Sequence, residues 1–207
     1  MSSQEMWESR YRDDEGHAPD GVQPHPLVIE QAQALISQAE STGRTAGDLR
    51  AVDLGSGPGR HALALAELGM QVTAVDFAAS AHDLLRHGAT IRGVGESITP
   101  VVADIPAWLP AHTSEFDLAV AAYLHTDLEV LAHSARLLTP GGRLIWITHA
   151  PDSPHGPPPE VPRPDLADYR RTLADLTGPE WRVLRLDEYE LNAQFLDVVV
   201  ILERSAT

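Results

Sequence analysis

Apolar positions change their period several times along the chain. Between Leu27 and about Glu40, Leu27, Val28, Ala32, Leu35, Ile36 and Ala39 recur at helical spacing, and Thr42-Gly43 closes that helix. Leu49 to Leu54 then reads as a short strand running into a glycine-rich turn at 55–59. His61 to Leu68 is a helix of small and apolar residues, stopped by Gly69 as a C-terminal cap. The alternation continues: a strand from Gln71 to Val75 ending at Asp76, a helix from Ala79 to Arg86, a strand from Pro100 to Ala103 ending at Asp104, and an apolar strand from Phe116 to Ala122. A helix from Leu128 to Leu138, halted by Thr139-Pro140-Gly141-Gly142, and a strand from Arg143 to Thr148 complete it.

Strand–helix repetition with nearly continuous apolar strands predicts an α/β protein with a parallel sheet covered by helices on both faces. Three segments stand outside the repeat. Residues 1–25 are mostly polar, and the cluster Trp7-Glu8-Ser9-Arg10-Tyr11-Arg12 suits an amphipathic helix with Trp7 and Tyr11 at i, i+4. Pro151 to Pro164 is proline-rich and aperiodic, which predicts either a functional lid or a plain surface loop. After it come a helix from Asp165 to Leu176 and two strands, Trp181 to Glu190 and Phe195 to Glu203, turning at Asn192-Ala193.

Composition narrows what this fold can do. At 207 residues with 43% apolar content, one domain with its own core is expected, and no internal repeat or linker marks a second. There is no cysteine, which removes disulfides, thiolate metal sites and cysteine nucleophiles. All basic residues are arginine, so a Schiff-base or phosphate-loop lysine is excluded. The net charge of −15 speaks against nucleic acid as a partner. No long apolar run suggests a membrane span, and the Met1-Ser2-Ser3-Gln4-Glu5 start lacks a secretory pattern, so a cytoplasmic location is expected.

The strongest chemical signal is Val52-Asp53-Leu54-Gly55-Ser56-Gly57-Pro58-Gly59-Arg60, placed where a strand feeds a helix. Glycines there let the backbone turn sharply and approach a ligand closely. The nicotinamide fingerprint requires a glycine at the sixth position, where this chain has Arg60. Asp53, inside the strand end, disfavours a pyrophosphate and suits a ligand with an amino group. Asp76 ends the next strand, where a carboxylate can accept both hydroxyls of a ribose; as a plain structural residue it would be a turn or cap.

V-D-L-G-S-G-P-G, V-T-A-V-D-F, V-V-A-D-I, F-D-L-A-V-A-A-Y-L-H and L-T-P-G-G-R-L-I-W-I-T, in this order over roughly residues 50–150, resemble the motif set of class I S-adenosylmethionine-dependent methyltransferases. The opening W-E-S-R-Y-R is similar to small bacterial members related to the tellurite-resistance and thiopurine methyltransferase group, in which an N-terminal segment folds over the cofactor. The resemblance implies a Rossmann-like, doubly wound sheet of seven strands, mostly parallel with the last strand antiparallel. It divides the single domain 1–207 into a cover (1–26), a cofactor-binding core (49–150), the 151–164 loop and a C-terminal helix and strand pair (165–207). It implies S-adenosylmethionine as cofactor and S-adenosylhomocysteine as product. By position, Gly55, Ser56, Gly57 and Gly59 would pass the methionine and ribose parts, with Asp53 near the ammonium group. Asp76 would hold the ribose hydroxyls with Phe77 against the adenine. Asp104 would accept from the adenine amino group and Ile105 would cover the ring. Ala121 and Ala122 would lie near the sulfonium, Trp7 and Tyr11 would close over the cofactor, and Arg10 would meet its carboxylate.

Methyl transfer from a sulfonium is an in-line displacement in which the protein mainly positions and desolvates, and a base is needed only where the acceptor must lose a proton. His125 after the fourth strand and His149 after the fifth are the candidate catalytic bases, with Tyr123 lining the same pocket. His61 reads as structural, and His25, between two prolines, as part of the N-terminal cover. No H-x-x-x-H or H-E-x-x-H spacing supports a metal site. The N-P-P-Y type of motif of amine-directed nucleic-acid methyltransferases is replaced by A-A-Y-L. Together with the acidic charge, this favours a small-molecule acceptor. A nucleic-acid or protein methyltransferase, or a non-catalytic cofactor-binding protein on the same fold, remains the alternative.

Overall fold

The computed structural model describes residues 3–12, 23–157, 161, 163–176, 180–192 and 194–206. Seven strands form one sheet in the order β3-β2-β1-β4-β5-β7-β6. They are β1 (Arg50–Leu54), β2 (Gln71–Asp76), β3 (Ile98–Val102), β4 (Phe116–Ala122), β5 (Leu138–His149), β6 (Trp181–Asn192) and β7 (Phe195–Arg204). The first five pair in parallel, and β7 runs antiparallel between β5 and β6. This is the seven-stranded, doubly wound architecture that the motif order implies.

Among the described residues, seven α-helices accompany the sheet: α1 (Ser3–Arg12), α2 (Pro26–Ser41), α3 (Arg60–Glu67), α4 (Ala79–Arg92), α5 (Ile105–Trp108), α6 (Glu129–Ala135) and α7 (Leu166–Ala174). Helices α2, α3 and α4 bury Leu35, Leu63 and Leu85 in a core on one face. Helices α5, α6 and α7 bury Ile105, Leu131 and Tyr169 on the other. Covered on both faces, β1 and β4 are apolar and buried almost throughout, as parallel strands must be. The edge strand β6 is half exposed and carries Arg182, Arg185, Asp187, Glu188 and Glu190, charges that blunt an open edge.

The structure moves several predicted boundaries. Helix α4 runs on to Arg92, past Gly88, and ends on Gly93 at φ 69°. Gly88 is buried, so packing overrides its poor helix propensity. Helix α6 stops at Ala135, and the stretch expected to end it, Thr139 to Gly142, lies inside β5. There the register with β4 jumps, from Phe116↔Leu138 to Leu118↔Arg143. A Cβ on Gly142 would sit 3.0 Å from the carbonyl oxygens of Phe116 and Thr139, so this glycine serves a bulge between close-packed strands. Short α5, directly after Asp104, was not anticipated. In the described part of 151–164 no helix or strand forms, as its prolines suggest. Ala193 of the expected turn lies outside the described residues.

Candidate active site

Strands β1 and β4 are neighbours, yet the chain leaves β1 toward β2 on one side and β4 toward β5 on the other. A crevice opens at the carboxyl ends of such strands, where the order reverses. The loop after β1 enters it with Gly55, Gly57 and Gly59 at φ 71°, 51° and 92°, values costly for any residue with a Cβ. A Cβ on Gly59 would lie 2.2 Å from Leu85 Cδ1, and one on Gly55 2.9 Å from Leu124 Cδ1. Shape and conformation together therefore require glycine.

Two aspartates brace this loop. Asp53 is buried, and its Oδ2 accepts from the Ala62 amide in the first turn of α3 at 3.0 Å. Burial pushes its carboxyl up to about 7, against the pull of that amide and of Arg60. Asp76, also buried, accepts from the Gly57 amide at 2.9 Å and from the Ala78 amide at 2.9 Å. Both the loop and the turn after β2 are thus tied to one carboxylate, which keeps further lone pairs for a ligand. Ser56 is buried in the same loop.

Beyond the ends of β2 and β3, Phe77, Asp104 and Ile105 line a cavity of about 280 Å³ together with Leu124, His125 and Thr126. Helix α1 lies against the glycine loop and α4. A Cβ on Gly57 would come 3.0 Å from the Tyr11 hydroxyl, and Trp7 stacks on Tyr11 with ring centres 5.5 Å apart. Glu8 receives the Ala79 and Ser80 amides at 2.7 and 3.2 Å, so it caps α4. Arg10 lies on α1, but its side chain falls outside the described residues. At the end of β4, Ala121 is fully buried and Ala122 nearly so; the groups that reach the crevice there are Tyr123, Leu124 and His125.

On the other side, past β4 and β5, is a cavity of about 380 Å³. Tyr123, Leu124, Leu128, Trp146 and His149 form its walls, and Pro157, Val161, Arg163 and Pro164 bring the 151–164 segment to it. Arg163 braces that segment by donating to the carbonyls of Ser153 at 3.1 Å and Pro157 at 2.7 Å. Thr148 Oγ1 and the Tyr169 hydroxyl, 2.7 Å apart, form a polar edge. This cavity and the smaller one share Leu124, His125 and Thr126.

The structure separates the candidate histidines. His125 is exposed and borders both cavities. His149 is mostly buried, with Nδ1 3.2 Å from Asp197 Oδ1. His61 is buried and accepts the His25 amide on Nε2 at 3.2 Å. Burial holds it neutral, well below the usual histidine range. His25 caps α2 by accepting from the Leu27 amide. Among the described residues, no three His, Asp or Glu are grouped to hold a metal ion.

Sequence reasoning missed Asp197, which is fully buried. Its only trace was an acid heading the apolar run Val198 to Leu202. It also missed the conformation of Tyr123, a non-glycine residue at φ 60°. Strain of that kind gathers at functional sites. The Tyr123 amide donates to Ile147 at 2.7 Å, its hydroxyl to Asp197 Oδ2 at 2.8 Å, and the Arg60 guanidinium sits 4.8 Å from its ring centre.

Residues 51–142 match the family model described as a methyltransferase domain. Over that stretch, from β1 into β5, the chain is similar to methyltransferase domains, and the fold and the glycine-loop site agree with its resemblance to class I S-adenosylmethionine-dependent methyltransferases. No curated protein sequence matches it significantly. Among solved structures it is similar to magnesium protoporphyrin IX methyltransferase from Synechocystis PCC 6803 with bound S-adenosylhomocysteine: 17% identity, TM-score 0.67, covering 98% of this chain and 97% of that one. It is similar to TehB from Haemophilus influenzae at 19% identity and TM-score 0.65, over 88% of this chain and 62% of that one. A protein that converts a disulfide bond into a thioacetal group during echinomycin biosynthesis matches at 22% identity and TM-score 0.65, over 99% and 94% of the two chains. At these identities the likeness is one of fold. Among the described residues, no helix is long and apolar enough to cross a membrane.

Proposed function

We propose that the protein methylates a small molecule bound in the cavity past β4 and β5, with S-adenosylmethionine in the crevice on the β1–β3 side. The observation that carries this reading is the pair of adjoining cavities with a shared wall at Leu124 to Thr126. One has room for a nucleoside beside Phe77 and Asp104, the other for a compact acceptor. Among the described lining residues Arg163 is the one arginine, and it is spent on the carbonyls of Ser153 and Pro157, which speaks against a row of phosphate contacts.

The residues present fit the cofactor. The glycine loop turns through left-handed conformations at Gly55, Gly57 and Gly59, so bare backbone meets the crevice there. Asp76 would hold the ribose hydroxyls, Asp104 the adenine amino group, and Phe77 and Ile105 the faces of the ring. Gly55, Ser56, Gly57 and Gly59 would follow the methionine part, with Tyr11 and Trp7 above it. Asp53 would act through the loop it braces, beneath the ammonium end. When bound, S-adenosylmethionine supplies a methyl carbon whose bond to sulfur breaks with its electron pair staying on sulfur.

The protein's own task is then to exclude water, align the acceptor and, where the acceptor is protonated, take that proton. The 151–164 segment and Trp146 would exclude water. His149 would receive the proton on Nε2, because Nδ1 faces Asp197. His125, exposed between the cavities, would pass protons to solvent.

Titration calorimetry with S-adenosylhomocysteine should give binding in the micromolar range; a folded protein that does not bind it would overturn the cofactor assignment. Transfer of labelled methyl to small-molecule extracts but not to tRNA or protein is the expected outcome. Transfer to tRNA, salt-dependent as phosphate contacts dictate, would replace the small-molecule reading.

A further inference from the structure

Strand β7 brings to the acceptor cavity a carboxylate that no cofactor motif accounts for. Asp197 faces His149 across the β5–β7 ladder and Tyr189 across the β6–β7 ladder. It is completely buried. Three side chains converge on it: the Tyr123 hydroxyl donates to Oδ2 at 2.8 Å, His149 Nδ1 is 3.2 Å from Oδ1, and His25 Nε2 is 3.7 Å from Oδ2. Burial alone would favour the neutral acid, but the Tyr123 hydrogen bond and the two imidazoles at ion-pair distance prevail and hold its carboxyl down to about 2. A buried charge is expensive to keep, and an apolar residue would serve the core as well here. Tyr123 is meanwhile held in a strained conformation that aims its hydroxyl at the same carboxylate.

We propose that Asp197 is the positioning residue of the acceptor site, fixing His149 as its Nδ1–H tautomer, and that the acceptor is a ring-sized, largely apolar molecule bearing an aromatic hydroxyl. The inference rests on the reading of His149 as proton acceptor. Nδ1 and Nε2 lie on opposite sides of an imidazole. A proton fixed on Nδ1 by Asp197 leaves the Nε2 lone pair for the cavity that His149 lines. Such a base suits one class of acceptor. An aromatic hydroxyl, with a pKa near 10 like that of tyrosine, is within reach of an imidazole. An alkyl hydroxyl, close to water in acidity, is far from it. A thiol, with a pKa near 8.5, leans less on a base than an aromatic hydroxyl does, and a tertiary amine or a metalloid lone pair has no proton to lose. Trp146, Leu124, Leu128 and Val161 give the cavity apolar walls, and Thr148 with Tyr169 offers a hydrogen-bonding edge for a ring substituent.

The step balances. The hydroxyl proton passes to His149 Nε2, an oxygen lone pair forms the new O–CH₃ bond, and the pair of the broken C–S bond stays on sulfur. One positive charge leaves the sulfonium and one appears on the imidazole, which returns its proton to solvent.

Two measurements test this. The first is ¹⁵N NMR of the imidazoles in the cofactor-free wild-type protein and in Asp197→Asn. The wild type should show His149 as the Nδ1–H tautomer, and the variant should lose that preference. An Nε2–H tautomer in the wild type would overturn the positioning role even if the variant does not fold. The second is methyl transfer to 2-naphthol, compared with 2-naphthalenethiol and N,N-dimethyl-2-naphthylamine. Transfer to the naphthol is expected. Asp197→Asn should lower kcat about 100-fold, with KM and S-adenosylhomocysteine affinity within about threefold. Transfer only to the thiol or the amine, or to none of the three, would overturn the acceptor class. If His149→Gln leaves naphthol transfer intact, the base reading itself fails. If that variant is inactive while Asp197→Asn is fully active, only the positioning inference fails.

Discussion

Two buried aspartates, one on each half of the crevice, titrate in opposite directions. On the β1–β3 half, Asp53 has one backbone amide for company, and burial lifts it to about 7. On the β4–β7 half, Asp197 is equally buried, but the donors of His149, His25 and Tyr123 overcome that burial and bring it to about 2. The same side chain in the same sheet is thus a group near neutrality in one place and a firm anion in the other. What differs is the source of the donors. Near Asp53 the surrounding groups belong to a loop and a helix start. Near Asp197 the neighbouring groups come from three separate elements, and they make a fixed negative centre beside the larger cavity.

The largest expected effect breaks the first half. Gly59→Ala places a Cβ into Leu85 at φ 92° and should cost about 3 kcal/mol of stability, read as a lower urea midpoint. A loss below about 1 kcal/mol would show that the loop relaxes. Next, Asp76→Ala should weaken S-adenosylhomocysteine about 100-fold, since it removes two charge-assisted hydrogen bonds; an unchanged affinity in calorimetry would remove the ribose assignment.

The pH dependence of stability sharpens the contrast. Asp53 binds a proton in the folded state between about pH 7 and the unfolded value near 4, so it favours folding as pH falls through that window. His61 and His82 act oppositely. Burial lowers both, so the stability they allow is present above about pH 6.5 and is lost below it, as the unfolded chain takes up protons the folded one refuses. Asp197 contributes fully above about pH 4 and loses its contribution only as pH falls toward 2. Asp53→Asn should therefore steepen the loss of stability between pH 7 and pH 5, measured by urea titration. An identical slope would mean that Asp53 stays ionised in the folded protein throughout that window. The smallest effect is that of Glu8→Ala, which strips the α4 cap and should cost about 1 kcal/mol, seen as a small drop in Tm.

The first half was legible in the sequence because its residues are local. Asp53 to Gly59, Asp76-Phe77 and Asp104-Ile105 each sit at the end of a parallel strand, and strand period plus turn chemistry finds them. The second half was only half legible. His149 and Tyr123 also end parallel strands, but Asp197 begins an antiparallel one. Its closeness to His149 depends on which strand β7 pairs with, a tertiary fact that no local period encodes. The same limit hid the strain at Tyr123. The boundaries at α4 and β5 moved for a related reason, since Gly88 and Gly142 answer to packing rather than to propensity.

The covers over the two halves belong to different segments. Helix α1 is fastened to the start of α4 through Glu8 and rests on the glycine loop through Tyr11. The described part of the 151–164 segment is braced from within by Arg163 and borders the larger cavity. Under the proposed function, the two covers would open on separate fastenings, and a methylated product would leave past the proline segment while the spent cofactor is still held.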